Sequence, residues 1–385
     1  MAYYCPTCKE IAVKKAGKIR IEKIERTRFK LVFRQAYRCM NDHFFIPNHK
    51  QSSFTNSFIE YVVILYLRSL SLNSVIQIVR AQFERDMLSK KTVLEFIDKV
   101  AERIPTLDDI DNLYHPKRSG YLSFDGVWFK YRNKNFVLLV CFDPDTFDVV
   151  AVKIETDETQ AGYERLITEA VNKIGAVNVK GAYGDGDRGL IKALNHLLPH
   201  APFQLCVFHK ELRMGQVVPV KSVGFSRRLT PFQKHDIKVF QLLFREVIYA
   251  KTKDDSVKAL DQLKKYCDKT QNEKFLKACR SLNYNFKYTL THFDNPHMER
   301  DNNILEGFNS IIKRRLKLLK GFKKPGNTEK YIKLILLDYR FHEFVGSDNK
   351  RRNGKTPLEL TGIILPEYYN FIKLLRESLK LDFIT

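Results

Sequence analysis

The most restrictive feature of this 385-residue chain is a change in hydrophobic periodicity between residues 118 and 210. Three consecutive strands with short polar connections are indicated by "YLSFDGVWFKYR", "NKNFVLLVCFDPDT" and "FDVVAVKIET". Helical and strand patterns then alternate through "TQAGYERLITEAVNKIG", "VNVKGAYGDG", "RGLIKALNHLL" and "FQLCVFHK". Three meandering strands followed by this alternation predict an α/β fold, a mixed sheet with helices on its faces.

The chain carries a net charge of +22, and this charge is unevenly distributed. Residues 1–50 have a net charge of +8 and residues 306–355 a net charge of +9, whereas residues 116–190 have −1. A positive field of this size usually attracts nucleic acid or, less often, an anionic membrane surface, and a merely soluble basic protein is the simpler alternative. An acid-rich segment between basic flanks indicates carboxylates with a chemical role, surrounded by surface that attracts phosphate.

The cellular compartment is indicated by what the chain lacks. No stretch reaches the ~18 apolar residues that span a bilayer, and the first residues lack the apolar core of a signal peptide. Seven cysteines scattered along a long chain fit reduced thiols better than a disulfide framework. We therefore expect an intracellular, cytoplasmic protein with no membrane partner.

Residues 1–50 have the pattern of a small metal-stapled module. Cys5 and Cys8 form a C-x2-C pair, and Cys39 and His43 form a C-x3-H pair, with two strands predicted between them. Four such ligands suit tetrahedral zinc, which a module with so small a core needs for stability. We expect a zinc-ribbon-like module with a structural Zn²⁺. His49 is a less convenient alternative to His43, and unrelated free cysteines are the simpler interpretation.

Residues 51–105 are predicted to form three helices, the second capped by Asn73 or Ser74 and the third by Ser89. A short second helix, a tight turn and a third helix that starts with Lys90 and Lys91 are typical of a DNA-binding helix-turn-helix. Three packed helices without a DNA role are the alternative. The segment "PTLDDIDNLYHPKRSG" is expected to be a linker.

Three carboxylates lie on a predicted strand, at a predicted strand end and near a predicted helix start. Asp125 lies on the first strand, where an unpaired acid is costly, and Asp185 ends the fourth strand before a turn at Gly186. Glu306 lies near the start of a helix capped by Asp301 or a following asparagine. Brought together, they can hold two hard cations such as Mg²⁺, which act on phosphodiesters. Taken singly, each is as well explained as a cap or a solvated turn.

The helix after Glu306 continues with a run of basic side chains that we expect to bind DNA: Lys313, Arg314, Arg315, Lys317 and Lys320. This helix begins in the last of four phrases, which in chain order are "SFDGVW", "YGDGDRGL", "QLCVFHK" and "NNILEGFNSIIKRRLK". Together these phrases resemble the DDE transposases of prokaryotic insertion sequences. The similarity is to the Mutator-like group with a C-x-x-H signature, and it covers roughly residues 118–345. "GKTPLELTGI" is also similar to a phrase near the end of many such enzymes.

This resemblance implies an RNase H-like catalytic core with a helical insertion, preceded by the zinc-ribbon and helix-turn-helix modules. It further implies core segments at 118–210 and 301–345, an insertion at 211–300 and a C-terminal tail at 346–385. The implied activity is cleavage of element ends and strand transfer with two Mg²⁺ or Mn²⁺ ions. The implied partners are the double-stranded DNA of element ends and target, and further copies of the chain in a synaptic complex on the nucleoid.

By the same resemblance, Asp125, Asp185 and Glu306 are the three catalytic, Mg²⁺-binding acids. Asp187 becomes a first-turn helix acid that can assist a metal indirectly. Cys206 and His209 match the C-x-x-H signature, whose role stays open. The pair either binds a metal, or is structural with His209 near the site and DNA, or is simply a buried cysteine beside a polar histidine. The metal alternative would draw partners from the insertion, namely Cys267, Cys279, His292 or His297.

Two other functions remain open at this point. One is a catalytically silent, zinc-dependent DNA-binding regulator derived from a transposase. The other is a related nuclease that does not transfer strands.

Overall fold

The computed structural model describes residues 3–26, 28–46, 54–318 and 326–380. The strands are β1 Ala12–Ile24, β2 Phe29–Cys39, β3 Phe44–Phe45, β4 Tyr121–Tyr131, β5 Lys134–Asp143, β6 Asp148–Glu155, β7 Gly181–Gly184 and β8 Phe203–Leu205. The first helices are α1 Asn56–Leu67, α2 Leu72–Phe83, α3 Lys90–Arg103, α4 Leu107–Tyr114, α5 Gln160–Ile174, α6 Arg188–Leu197, α7 Val207–Val217 and α8 Pro231–Ile248. The later helices are α9 Lys253–Thr270, α10 Glu273–Asn283, α11 Thr291–Asp294, α12 Asn303–Leu316, α13 Asn327–Arg340, α14 Pro357–Leu360 and α15 Phe371–Lys380.

The chain divides into two compact units. The first takes Met1–His115, Leu318–Val345 and Ile364–Thr385, and the second takes Pro116–Lys317 and Gly346–Ile363. These bounds differ from the expected segments 301–345 and 346–385. The physical reason is that α13 packs on α3 and α4, and α15 packs on α1 and α3. These two C-terminal helices therefore belong to the same unit as the N-terminal helices.

The first unit begins with the predicted strand pair, since β1 and β2 run antiparallel and β3 adds to β2. The buried apolar cluster in this module consists of Cys5, Cys39 and Phe45, with a few half-buried neighbours. So small a core cannot stabilise the module by itself, in agreement with the need for a staple.

The three predicted helices form in the first unit, with two corrections. The cap of α2 is Ser71, whose hydroxyl accepts a hydrogen bond from the Ser74 N–H, so the prediction of Asn73 or Ser74 is wrong. The expected linker contains α4, because Thr106 and Asp109 form a capping box that starts a helix there. Ser89 caps α3 as predicted.

The second unit is built on a five-stranded sheet with the order β6-β5-β4-β7-β8. The first three strands run antiparallel, and β7 and β8 run parallel to β4. This is the RNase H-like arrangement that the resemblance implies. Strand β8 ends at Leu205, earlier than predicted, because the chain turns directly into α7.

Helices α5 and α6 cover one face of this sheet. Their apolar side chains, including Tyr163, Leu166 and Leu190, are fully buried against strand residues such as Leu122 and Phe124. Such a core holds the strand ends rigidly, which a functional site at those ends requires.

Helices α7 to α10 form a second apolar cluster of their own, centred on Phe240, Phe244 and Phe275. The rings of Phe240 and Phe275 stack with centroids 4.4 Å apart. These helices therefore have an apolar core that is separate from the core between the sheet and helices α5 and α6. In the described part of the chain, no helix is both long enough and apolar enough to cross a membrane.

Candidate active site

Asp125 lies on β4, and Asp185 follows directly after β7, the parallel strand beside β4. Ser123 on β4 pairs with Tyr183 on β7, so the register places Asp125 and Asp185 side by side two residues further on. Gly186 follows with φ +84°, and a Cβ there would lie 2.7 Å from the Leu205 side chain. The turn after β7 therefore needs glycine, and it leaves Asp185 at the carboxyl edge of the sheet.

The two aspartates of "DGD", Asp185 and Asp187, make different hydrogen bonds. Asp187 is the N-cap of α6, one position before the first turn that was predicted, and its Oδ1 accepts hydrogen bonds from the N–H groups of Gly189 (2.7 Å) and Leu190 (3.2 Å). Asp185 Oδ1 accepts the Asp187 N–H at 2.9 Å, which orients the other oxygen outward. One carboxylate thus caps a helix, and the other faces the site.

Helix α12 brings the third acid to the sheet. Glu306 lies in its first turn, and Asn302 occupies the N-cap position without a side-chain capping bond. One turn further, the fully buried Asn309 donates from Nδ2 to Asp125 Oδ2 at 2.6 Å. Residues three apart share a helix face, so this bond also places Glu306 next to Asp125.

Helix α7 contacts the other two acids from successive turns. His209 Nε2 lies 3.1 Å from Glu306 Oε1, and Arg213 donates from Nη2 to Asp185 Oδ2 at 3.0 Å. Positions four apart on a helix point the same way, so both basic groups face the site together. Three acids from β4, β7 and α12 and two basic groups from α7 therefore form one constellation.

Cys206 of the C-x-x-H pair has a packing role. It is buried at the start of α7, and its Sγ accepts the Asn302 N–H at 3.3 Å, which fixes the approach to α12. Cys267 and Cys279 lie in the core of the insertion, and His292 contacts Gln204 instead. Among the described residues, no metal-sized group of ligand atoms includes Cys206, His209 or the four proposed partners, His297 among them.

A family model described as "Transposase, Mutator family" matches residues 46–344. The chain belongs to the Mutator family of transposases. It is similar to the transposases for insertion sequence element IS256 in transposon Tn4001 from Staphylococcus aureus and Enterococcus faecalis. Each is 21% identical over 304 residues, which cover 75% of this chain and 71% of the relative.

Two solved structures have weaker similarity to the transposase. The HTLV-2 integrase catalytic core domain in complex with magnesium is 12% identical, with a TM-score of 0.19, and covers 34% of this chain and 86% of its own. The simian T-cell lymphotropic virus intasome with the PP2A regulatory subunit B56 gamma is 10% identical, with a TM-score of 0.20 and coverages of 50% and 69%. At these TM-scores neither structure supports a statement about this chain. Family membership by itself makes the transposase an enzyme of the polynucleotidyl transferase class.

Burial and neighbouring charges shift the pKa values of several groups at the candidate site. Burial, followed by the charges of Glu306 and Asp185, raises the pKa of Asp125 to about 7. A hydrogen bond with His209 lowers the pKa of Glu306. Burial lowers the pKa of His209, but interactions with the Cys206 sulfur and the Glu306 carboxylate outweigh it and raise the value to about 10. Carboxylates offer only oxygen atoms, which suit hard cations such as Mg²⁺. Among the described residues, however, the oxygen atoms of these three acids do not form a metal-sized group.

Three side chains at the site escape sequence reasoning: Arg213, Asn309 and Glu158. The sequence could have indicated Asn309 as a site residue, because it lies one helical turn after Glu306 in the same phrase. Arg213 lies one turn after His209, so helical spacing could have found it as well. Glu158 accepts hydrogen bonds from Trp128 Nε1 and Tyr163 Oη, each at 3.1 Å, and no local pattern connects residues 30 positions apart.

The basic residues expected to bind DNA are placed as follows. On α12 of the transposase, Lys313, Arg314 and Lys317 are exposed and Arg315 is half-buried, while Lys320 lies outside the described residues. Lys90 and Lys91 are exposed at the start of α3 in the first unit, where Lys91 lies 3.8 Å from Glu95. These positions leave most of the predicted positive charge accessible to solvent.

The four predicted zinc ligands of the transposase lie together. The ligand atoms of Cys5, Cys8, Cys39 and His43 are all within 4.8 Å of one another. Cys8 Sγ lies 3.6 Å from Cys39 Sγ and 3.4 Å from His43 Nδ1, while Cys5 Sγ lies 3.8 Å from the same nitrogen. Three thiols and one imidazole at this spacing match a tetrahedral Cys3His zinc site. His49, the alternative ligand, lies outside the described residues.

Proposed function

We propose that this protein binds the ends of its insertion sequence and catalyses Mg²⁺-dependent DNA cleavage and strand transfer, with Asp125, Asp185 and Glu306 as the catalytic acids. The observation that carries the proposal is their convergence from the middle of β4, the end of the adjacent β7 and the first turn of α12. Each acid is held by a separate polar contact, as a preorganised site requires.

The three acids would hold two Mg²⁺ or Mn²⁺ ions, since their donor set consists of carboxylate oxygens alone. Bound ions of this kind supply positive charge to the attacking and leaving oxygens of a phosphodiester. Asp125 is oriented by the Gly126 N–H at 2.8 Å and by Asn309, and Asp185 is oriented by the Asp187 N–H. These contacts fix the carboxylates before DNA arrives, so little reorganisation accompanies the reaction.

DNA would be held by the basic side chains around the site. Arg213 is 41% exposed beside Asp185, and the exposed Lys313, Arg314 and Lys317 follow Glu306 on α12. Arg315 on the same helix, and Lys90 and Lys91 on α3 of the first unit, would supply further phosphate contacts. Contacts of this type position the duplex without reading its sequence. Water and then a DNA 3′-hydroxyl serve as nucleophiles, so no covalent protein–DNA intermediate is required.

The remaining parts of the chain support this reaction. Cys5, Cys8, Cys39 and His43 would hold a structural Zn²⁺, and α1 to α3 would form the helix-turn-helix that recognises element ends. Joining two ends in one complex requires at least two copies of the protein. We place this assembly on the nucleoid, in the cytoplasm of a prokaryotic cell.

The decisive experiment uses duplexes that carry the genomic sequences flanking the gene. We expect cleavage at the element end in Mg²⁺ or Mn²⁺ and none in EDTA. We also expect a pre-cleaved end with a free 3′-hydroxyl to be joined to a target plasmid. Cleavage without joining would establish the nuclease alternative, and DNA binding without any cleavage would establish the silent regulator.

Replacing His209 with Ala should reduce the cleavage rate about 10- to 100-fold while DNA affinity changes little, because Glu306 loses the partner that orients it. The His209→Gln variant can still donate a hydrogen bond from its amide, so it should recover part of the rate. Single-turnover cleavage and equilibrium DNA binding separate the two effects. Equal rates for the Ala variant and the wild type would show that Glu306 needs no such partner.

A further inference from the structure

Trp128, the single tryptophan of the chain, is exposed at the candidate site. It lies on β4 three residues after Asp125, so its ring projects from the opposite face of the strand, and 45% of its surface is accessible to solvent. A tryptophan ring normally contributes one of the largest buried apolar areas in a protein. A ring of this size that stays exposed is available to stack on an apolar partner.

The orientation of this ring is fixed by polar contacts with Glu158, a carboxyl group whose pKa is raised by burial and by the nearby charge of Asp185. The Trp128 indole N–H donates to Glu158 Oε2, and the fully buried Tyr163 donates to Glu158 Oε1, each at 3.1 Å. Gly126 makes room for this carboxylate, because a Cβ there would lie 2.0 Å from Glu158 Oε1. The edge of the indole is thus held while part of its surface stays open.

Positive charge surrounds the ring along the β4–β5 hairpin. Lys130, Arg132 and Lys134 are all exposed, and no acidic residue occurs between positions 126 and 135. Lys130 lies two residues after Trp128 and so projects from the same face of the strand. An aromatic platform interleaved with cations is the arrangement that binds unpaired nucleic acid strands.

We propose that Trp128 stacks on an unpaired base of the DNA strand held at Asp185, while Lys130 and its hairpin neighbours contact the adjoining phosphates. The inference rests on the proposed function, which places DNA at the acids. The base must be unpaired because both faces of a base within a duplex are covered by its neighbours. Glu158 is then a positioning residue that acts on DNA only through the indole.

The experiment uses the tryptophan fluorescence of the full-length protein, excited at a wavelength that its 18 tyrosines do not absorb, so that the signal reports on Trp128 alone. Binding is measured in EDTA with a fully paired duplex and with the same duplex carrying a short unpaired stretch. We expect the unpaired probe to quench the fluorescence markedly more than the paired one. Equal quenching by both probes, or no quenching by either, would overturn the inference.

Variants test the same inference with fluorescently labelled DNA. Trp128→Leu should weaken binding of the unpaired probe about tenfold to a hundredfold and leave the paired duplex unaffected, while Trp128→Phe keeps most of the affinity. Glu158→Gln retains an acceptor for the indole and should bind like the wild type, whereas Glu158→Ala should lose part of the preference. Lys130→Ala should weaken both probes alike. Wild-type affinity of Trp128→Leu for the unpaired probe contradicts the proposal.

This design separates the inference from the proposed function, since binding in EDTA requires no chemistry. Selective quenching by a protein that never cleaves DNA supports the stacking role and refutes the catalytic one. Cleavage in Mg²⁺ without selective quenching supports the catalytic role and refutes the stacking role. Thermal unfolding of each variant shows whether a loss of binding reflects a loss of structure.

Discussion

Replacing Asp185 with Asn should abolish DNA cleavage and strand transfer, with rates reduced at least about a thousandfold. Loss of one preorganised group that stabilises developing charge already costs about 10²–10³ in rate, and this substitution would also remove a charged ligand from the proposed metal site. The isosteric amide can keep the hydrogen bond to the Asp187 N–H, so the turn after β7 should persist. Cleavage of labelled element ends in Mg²⁺ measures the effect.

The matched control is Asp187→Asn, two residues further along. Asn and Asp cap helices about equally well, so the bonds to Gly189 and Leu190 can be kept and α6 should be undisturbed. We expect activity close to that of the wild type. The reverse result, an active Asp185 variant and an inactive Asp187 variant, would exchange the roles that the structure suggests for the two carboxylates.

Asp125→Asn and Glu306→Gln should have effects as large as that of Asp185→Asn, because each removes one of the three acids. All three variants should still bind element-end DNA, since the proposed phosphate contacts come from basic side chains elsewhere. Band-shift measurements in EDTA check this point. A variant that neither binds nor cleaves would indicate a folding defect instead of a catalytic one.

Replacing Cys39 with Ser should release the proposed zinc ion and unfold the N-terminal module. Binding of structural zinc contributes about 10–16 kcal/mol in small zinc peptides, far more than the Cys5, Cys39 and Phe45 cluster can supply. We expect about one zinc per chain in the wild type and none in the variant, together with rapid proteolysis of residues 1–50. Metal analysis and limited proteolysis measure the two effects.

The control for this prediction is Cys279→Ser, which changes a buried cysteine in the core of the insertion. It should keep the full zinc content, because Cys279 belongs to no metal-sized ligand group among the described residues. Treatment of the wild type with a strong chelator should reproduce the effect of Cys39→Ser. A wild-type protein that contains no zinc and still resists protease would refute the zinc site.

Much of the second unit follows from local sequence. Alternating apolar residues with short turns predicted β4, β5 and β6, and the switch to helical periodicity predicted α5 and α6. The same reasoning failed at α4, where the capping box of Thr106 and Asp109 stood in a segment that looked like a linker. It also extended β8 too far, because "FQLCVFHK" is apolar across the end of a strand and the start of α7.

The candidate site likewise combines residues that the sequence could identify with contacts that it could not. Asp125, Asp185 and Glu306 could be selected from the phrases that carry the family resemblance, and the four zinc ligands from their spacing. The division of labour between Asp185 and Asp187 was only an expectation, and the capping bonds of Asp187 supply the physical argument for it.

The sequence by itself determined the order of strands and helices, the positions of the acids and the clustering of positive charge, because these depend on residues close together in the chain. Only the tertiary structure decided what holds the acids. The contacts Arg213–Asp185, Asn309–Asp125 and Trp128–Glu158 join residues 28, 184 and 30 positions apart. Such pairs form only when the sheet, the insertion and α12 pack together, and packing depends on shape and burial that local patterns do not encode.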